Sequence, residues 1–476
     1  MAKIILLSPP YIQDYMRNAR CDFVSLSHSS WYPIWLGEAG CYLESKGHKT
    51  LLLDAQVQGL SHQDTLEKIK EFQPDLVAVY TGRLSEDNDI EFADKIVERG
   101  YKSVFVGPYT SIDPVAVLKK SRKVELAIKK EFELPLEELS SGADPLKTLN
   151  VYFKELKSKE ITCGECRPLL QTELLDQFPL TTEYFHRQLD ISKYKTPSEL
   201  YPFIDVMSGR GCAWGKCNFC LWVQTFVVED RPKGIYNLRS IGRFMEEFDY
   251  AARFMPEVKS IMIQDDLLTN PRALEISNAI LERGYNIHWS CYAKPNTNLN
   301  LETLKLMRRS GCLNLHVGFE SGDPEVLAKI DKGNTVEQSM EFARNAHEAG
   351  LQIHGDFALG HLGESKQSMQ RTIQLAKKMN PHTAQFQIMI PFKKTTFHDQ
   401  LDEENFWSAY GEPSYEKAGG ASADEIRQTA KYAYRQFYIS LNYLKKIISN
   451  PRDYFFNRFD EYIQAIPAIT WRRWIK

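Results

Sequence analysis

Short apolar runs alternate with helix-patterned stretches through the first ~145 residues. Lys3–Ser8, Lys49–Leu53, Leu76–Tyr80, Ser103–Val106 and Val124–Ile128 read as strands. Leu36–Lys46, Gln63–Phe72, Ile90–Arg99 and Asp113–Lys119 read as the helices between them. Strands and helices alternating at this spacing predict an α/β unit, a doubly wound, Rossmann-like sheet of parallel strands. Ligands of such sheets lie beyond the carboxyl ends of the strands. Those ends carry Ser8-Pro9-Pro10, Asp54-Ala55-Gln56, Thr81-Gly82 and Gly107-Pro108-Tyr109.

The rhythm breaks over residues 146–200, a polar stretch punctuated by Pro168, Pro179 and Pro197 that reads as a linker with one hairpin. It resumes at Tyr201. Phe203–Met207, Ser260–Ile263, Ile287–Cys291, Leu313–Phe319, Gln352–Leu359 and Gln385–Ile390 are strand candidates, with helices such as Pro271–Arg283 between them. Six strand–helix units predict a complete or partial β/α barrel over residues 201–400. Residues 401–476 read as helical, with an aromatic stripe at Tyr432, Tyr434, Phe437, Tyr438 and Tyr443 within Ala423–Ser449.

Composition changes this picture little. The 476 residues are 43% hydrophobic and 25% charged, ordinary for a globular chain. With 59 basic against 62 acidic residues, the net charge of -3 gives no reason to expect nucleic-acid binding. No apolar run approaches a membrane span, and the N-terminal run is too short for a signal peptide, so a cytoplasmic protein is expected. Trp471-Arg472-Arg473-Trp474 is amphipathic and is expected to dock against the body.

Nine cysteines without a signal peptide argue against a disulfide framework. Three of them, Cys212, Cys217 and Cys220, fall on the glycine-rich segment Ser208-Gly209-Arg210-Gly211-Cys212-Ala213-Trp214-Gly215-Lys216-Cys217-Asn218-Phe219-Cys220 after a predicted strand. Three thiolates on such a loop can hold one soft metal centre, and with only three ligands a [4Fe–4S] cluster keeps one iron open. Structural zinc would want a fourth Cys or His nearby. Cys163-Gly164-Glu165-Cys166 reads as a turn with two free thiols rather than a redox pair.

A cysteine loop after the first strand of a β/α barrel resembles the radical S-adenosylmethionine (SAM) superfamily. The usual spacing there is Cys-x3-Cys-x2-Cys; this chain has Cys-x4-Cys-x2-Cys, and its phrase looks like a variant found among members with a cobalamin domain. Gln264-Asp265-Asp266 resembles the acidic motif of the second strand. Val317-Gly318-Phe319-Glu320-Ser321-Gly322 with Lys332-Gly333-Asn334-Thr335 resembles the fourth-strand signature, and Phe357-Ala358-Leu359-Gly360 with Gly363-Glu364 the fifth. The resemblance implies Cys212, Cys217 and Cys220 as cluster ligands, and Phe219 near the adenine of SAM. It also implies SAM contacts at Asp265, Glu320 and Ser321, with Lys294 at the SAM carboxylate.

The doubly wound domain before the barrel resembles the cobalamin-binding class (class B). Trp35-Leu36-Gly37-Glu38-Ala39-Gly40, Lys46-Gly47-His48 and Gly107-Pro108-Tyr109 carry the likeness. Many relatives have Asp-x-His-x-x-Gly, whose His lies beneath cobalt. This chain has Asp54-Ala55-Gln56-Val57-Gln58-Gly59, so Gln replaces His, and an amide is a far weaker cobalt ligand. Lys129-Lys130-Glu131-Phe132-Glu133 keeps the acids of the relatives' Gly-Glu-x-Glu turn and loses its glycine. The resemblance implies cobalamin contacts at Ser8, Asp54, Gln56, Gly59 and Gly107.

It also implies a methyltransferase that moves methyl from SAM through methylcobalamin to an unactivated carbon, less readily phosphorus. The substrate would be a small molecule, peptide or lipid precursor, and an electron donor such as flavodoxin or ferredoxin would serve the cluster. The alternatives left open are a non-methylating reaction with the same cofactors, such as ring formation, rearrangement or oxidation; a methylthiotransferase, disfavoured because only Cys21 and Cys41 precede residue 145; and a non-catalytic sensor.

Overall fold

The computed structural model describes residues 1–17, 22–25, 28–221, 234–295, 299–401 and 420–449. The Trp471–Trp474 motif lies outside the described residues. In chain order the first strands are β1 (Lys3–Ser8), β2 (Tyr15–Arg17), β3 (Asp22–Val24), β4 (Lys49–Asp54), β5 (Leu76–Tyr80), β6 (Ser103–Val106) and β7 (Leu126–Ile128). They are followed by β8 (Val151–Lys154) and β9 (Ile161–Cys163). Seven of these form one sheet in the order β4-β1-β5-β6-β7-β8-β9. Strands β4 to β7 are parallel, as the alternation predicted, and β8 and β9 join antiparallel. With strand order reversing at β1, the switch point for a ligand falls at the carboxyl ends of β1 and β5, at Ser8 and Thr81.

The stretch read as a linker is structured. Its hairpin, β8–β9, extends the first sheet, and Cys163 ends a strand rather than standing in a turn, with Cys163 and Cys166 both exposed and free. The helix Thr181–Gln188 that follows packs on the first-domain helix Ile34–Ser45. At its start, the backbone N–H groups of Thr181 and Thr182 donate to Glu247 of the barrel at 3.1 and 2.9 Å.

The second half begins with β10 (Phe203–Val206), the short antiparallel pair β11 (Gly209–Arg210) and β12 (Asn237–Leu238), and β13 (Ser260–Ile263). It continues through β14 (His288–Ala293), β15 (Cys312–Glu320), β16 (Gln352–Leu359) and β17 (Thr383–Ile388). Strands β10 and β13 to β17 form a six-stranded, all-parallel sheet in sequence order, a partial barrel. Alternation divides its faces. Phe319, Phe357 and Phe386 stack at 5.7 and 5.4 Å on the side packed by helices. The opposite face carries Tyr292, His316, His354, Asp356 and Gln385, a polar lining where a closed barrel would hold aliphatic layers.

The C-terminal aromatic stripe closes the β17 edge. Two helices, Ala423–Tyr438 and Leu441–Ser449, carry it. The Tyr438 hydroxyl meets both the N–H and the carbonyl of Ala384 at 2.9 Å. The Tyr434 hydroxyl accepts from the Phe386 N–H at 3.1 Å, and that of Tyr443 donates to the His382 carbonyl at 3.1 Å. The unpaired groups of an edge strand are thereby satisfied by side chains. No helix among the described residues is long and apolar enough to cross a membrane.

One core runs through both halves. Ile4, Leu6, Ala78 and Val104 of the first sheet belong to the same apolar cluster as Phe203, Ile261 and Leu315 of the second. Ile5, Leu7, Val77 and Phe105 face the other way, into a separate cluster with Ile69, Ile96 and Val117.

Lys130, at the position where the resembled turn has glycine, has φ +67°. A left-handed backbone costs a non-glycine residue about 1–2 kcal/mol, partly offset by glycine's larger entropy loss on folding. Lys130→Gly should therefore stabilise the fold by about 0.5–1 kcal/mol in denaturant titration. A loss of stability would mean that the lysine side chain contributes more than its backbone costs.

Candidate functional site

The three cysteines sit where the barrel's first strand gives way to its loop. Asp265, just after β13, fixes the base of that loop. Buried completely, its carboxylate accepts from the N–H groups of Ser208 and Gly209 at 2.6 and 3.0 Å, from the Ser208 hydroxyl, and from the Tyr236 hydroxyl at 2.5 Å. Asp265 thus shapes the loop, and its oxygens are taken up by protein donors rather than turned to a cofactor.

The far side of the loop is clamped by the segment after β15. Trp214 Nε1 donates to the Asp331 carbonyl at 2.8 Å. Asn218 donates through its backbone to Ile330 at 3.0 Å and through its side chain to Lys329 at 2.9 Å. The Trp214 ring lies so close to Gly333 that a Cβ there would stand 2.0 Å from it, and Gly333 has φ +73°. This gives the Lys332-Gly333-Asn334 motif a physical reason: only glycine admits the tryptophan.

Charge gathers around the thiols. Glu320 ends β15 with φ +62°, at a register shift in the sheet, and pairs with Lys332 at 2.6 Å. Burial works against the Lys332 ammonium, but the Glu320 carboxylate paired with it holds it charged. Lys294, buried beside Lys332 and 4.0 Å over the Trp214 ring, is pushed down to about 7, by burial first and Lys332 second. Burial raises the Cys212 thiol and pushes that of Cys217 up to about 11, so free thiols here are protonated at neutral pH and metal binding must displace their protons.

These residues fit an iron–sulfur cluster with SAM. The donors are three thiols, all partly accessible, on one loop between two fixed anchors. Among the described residues, no three His, Cys, Asp or Glu side chains are gathered to hold a single metal ion; the ligands of a cubane bind separate irons and need no such convergence. Phe219 lies between the cysteines with its ring 5.7 Å from that of His361. Ser321 is placed differently from Glu320. It is fully buried, bonded to Thr372 at 3.1 Å and accepting from the Asp323 N–H at 3.1 Å, so it supports the helix that follows.

The first domain brings its predicted residues to one sheet edge. Asp54 caps the short helix Ala55–Gln58 and accepts from the Tyr194 hydroxyl at 3.0 Å; Gly59 ends that helix with φ +70°. Burial raises the Asp54 carboxyl. Ser8 hydrogen-bonds it from β1. The Gln56 amide is tied to the strand-end loop, accepting from the Tyr11 N–H at 2.7 Å and donating to the Ile12 carbonyl at 3.0 Å. Gly107, φ +102°, opens the helix Pro108–Ile112 beneath the Tyr80 ring. Over this edge lies the β2–β3 hairpin, fastened by the buried Arg17–Asp89 pair at 2.7 Å and by an Arg17 bond to the Pro9 carbonyl at 2.7 Å.

A cavity beside the hairpin is lined by Ser8, Arg17, Trp31, Asp54, Gln56 and Val57 among others, with no imidazole or thiol among the described lining residues. His48 lies at the opposite end of the strands, its Nδ1 accepting from the Ala2 N–H at 3.2 Å.

Two features that join the halves were not singled out as site residues in the sequence. Trp31 lines the first-domain cavity, yet its ring packs 5.7 Å from Phe203 and 5.8 Å from His316 of the barrel. Arg210, two residues before Cys212, reaches back into the first domain. It donates to Glu131 at 2.9 Å, to Glu133 at 2.7 Å and to Glu38, while Arg239 donates to Glu38 at 2.6 Å and Glu247 at 3.1 Å. All six are buried. The acids of the Lys129–Glu133 segment therefore meet an arginine, and Glu38 of the Trp35–Gly40 motif meets two. Arginine spacing alone carries no signal for this.

Comparison with known proteins agrees with the geometry. The family model described as Radical SAM superfamily matches residues 206–376. An uncharacterised methyltransferase of Pyrococcus horikoshii is 28% identical over 417 residues, covering 84% of this chain and 86% of the relative. The apo structure of OxsB, a cobalamin-dependent SAM radical enzyme, superposes with a TM-score of 0.68 at 15% identity, over 98% of this chain and 71% of that one. TsrM from Kitasatospora setae, a radical SAM methyltransferase solved with cobalamin and a [4Fe–4S] cluster, gives 0.63 at 17% identity, over 85% and 78%. At such identities the two structures speak to the fold, and they share it across both halves. The matched span begins on β10 and runs through the cysteine loop to the helix after β16, so the barrel is a radical SAM domain, and the chain as a whole shares the two-domain fold of OxsB and TsrM.

Proposed function

We propose that the protein moves a methyl group from SAM, by way of cobalamin bound at the β1–β4 edge, to an unactivated carbon of a small-molecule, peptide or lipid-precursor substrate. One observation carries the reading. Trp31 lines the cavity at Ser8, Asp54 and Gln56 and packs on His316 inside the half-barrel whose rim bears the cysteines. A substrate resting on the polar barrel lining is held between the two cofactor positions. When bound, the cluster and SAM supply one-electron hydrogen abstraction and cobalamin supplies a methyl carrier.

The chain's own residues bind and orient. Cys212, Cys217 and Cys220 would hold three irons of a cluster and leave the fourth open to SAM. Lys294 would offer its ammonium to the SAM carboxylate, and Glu320, held by Lys332 at the strand end, would lie on the same side. Gln56, standing where relatives have His and keeping its amide on the Tyr11–Ile12 backbone, would offer a bound cobalamin no imidazole.

Three measurements test this. Anaerobically reconstituted protein should carry about four irons and four sulfides, and the Cys212, Cys217 and Cys220 triple alanine variant should lose the cluster and SAM cleavage together. A full cluster in that variant would move the assignment to Cys163 and Cys166. In the cob(II)alamin form, electron paramagnetic resonance should show no strong nitrogen splitting from a lower ligand; a protein-imidazole signal would refute the reading of Gln56.

Turnover with substrate should yield one S-adenosylhomocysteine and one 5′-deoxyadenosine per methylated product. S-adenosylhomocysteine alone would indicate polar transfer, and 5′-deoxyadenosine alone a non-methylating reaction.

A further inference from the structure

None of the six strands of the half-barrel carries a lysine or an arginine. Lys294 and Lys332 stand at its rim, and Lys332 is paired with Glu320. The polar groups deeper on the inward face are acids and imidazoles. Glu199, ahead of β10, is buried there. It accepts from the Ser290 hydroxyl at 2.5 Å and pairs with His316 Nε2 at 2.8 Å. A carboxylate can only accept, so His316 donates through Nε2 and keeps Nδ1 as an acceptor. The side chain is buried, yet Nδ1 has no hydrogen-bond partner among the described residues. Burial holds the imidazole below its ordinary range against the pull of Glu199, which leaves it neutral at physiological pH.

Asp356 lies one step nearer the rim: in the sheet His316 is opposite His354, and Gly318 is opposite Asp356. His354 is held by the Thr383 hydroxyl at 2.6 Å and makes only a loose 3.5 Å contact with Asp356 through Nε2. The half-buried Asp356 carboxylate accepts no hydrogen bond from a described residue. Two acceptors on this face are therefore open, and one of them is ionic. A substrate carboxylate or phosphate laid on them would meet like charge. A neutral hydroxyl would fill a lone pair but leave the charge unanswered once water is displaced. An ammonium group brings three donors and the opposite charge, and its bonds to a carboxylate are about twice as strong as neutral ones.

We infer that the substrate carries a protonated amine, seated on Asp356 above the open Nδ1 of His316. The inference rests on the reading that the substrate lies on the half-barrel lining between the two cofactor positions. It deepens that reading by narrowing small molecules, peptides and lipid precursors to those that present an ammonium group to the strands.

The test uses the full-length, cluster-reconstituted protein without reductant, and three probes of equal length: putrescine, a diamine; succinamide, which is neutral; and succinate, a dianion. In equilibrium dialysis putrescine should bind saturably and at least about tenfold more tightly than either of the others. Asp356→Asn should weaken putrescine about tenfold and erase the preference, while Asp356→Glu, which keeps the charge, should retain it. Iron content and melting temperature equal to wild type show that each variant is folded.

Putrescine that does not saturate, succinamide or succinate binding as tightly as putrescine, or an Asp356→Asn variant indistinguishable from wild type would each overturn the inference. SAM cleavage under reductant, measured on the same preparations, separates this from the function itself. Protein that cleaves SAM but treats the three probes alike overturns the amine seat alone. Protein that binds putrescine as expected and never cleaves SAM overturns the proposed function.

Discussion

The structure turns on the buried charge cluster around Arg210. Glu38 comes from the first helix of the first domain, Glu131 and Glu133 from its Lys129–Glu133 segment, and Arg210 and Arg239 from the barrel. Removed from water, each of these charges would be heavily penalised alone. Together they pair with one another, with Arg210 Nε and one Glu133 oxygen left over, and the geometry that pairs them is available only when the two halves are docked. Because breaking such a group leaves an uncompensated buried charge, it acts as a register device more than as a source of net stability. Arg210 leads into the cysteine loop, so the docking of the first domain and the position of the thiols are set by the same side chain.

From there the loop is defined by its two sides. Asp265 gathers the backbone at its base, and the Asp331–Gly333 segment receives Trp214 at its crest. The loop is one residue wider than the usual spacing, and it is braced at both ends by contacts from different strands. Precise placement of cofactor ligands needs supporting contacts of this kind more than it needs any single ligand spacing. The ammonium of Lys332 and the carboxylate of Glu320 then set the electrostatic environment of the open side.

Most of the architecture was legible in the chain because short apolar runs alternating with helix-patterned stretches are strong local signals: each strand that was read, from Lys3–Ser8 to Gln352–Leu359, lies within two residues of its reading, whereas the short β2, β3, β11 and β12 gave no such run. The stretch 146–200 was not. Its elements are short and polar, and they are stabilised by what they pack against, with Tyr194 on Asp54 and Thr181 on Glu247. Among the site residues, motifs located Glu320 and the cysteines, but a motif does not say which way a residue points. Asp265 and Ser321 turn inward to support the backbone, and Arg210 and Trp31 acquire meaning only from neighbours far away in sequence.

The single core shared by the two halves also constrains the order of events at the ribosome. Ile4, Leu6 and Val104 belong to a cluster that is complete only with residues as late as Phe437 and Tyr443. At a synthesis rate of about 5–20 residues per second, on the order of tens of seconds separate the first sheet from the last members of its core. During that interval the helix Ile34–Ser45 covers that face of the sheet, and its own outward side still lacks the helix Thr181–Gln188 and the barrel. A truncated chain ending before the barrel would lack those neighbours permanently, so the first domain is better regarded as part of a larger folding unit than as a detachable cofactor carrier.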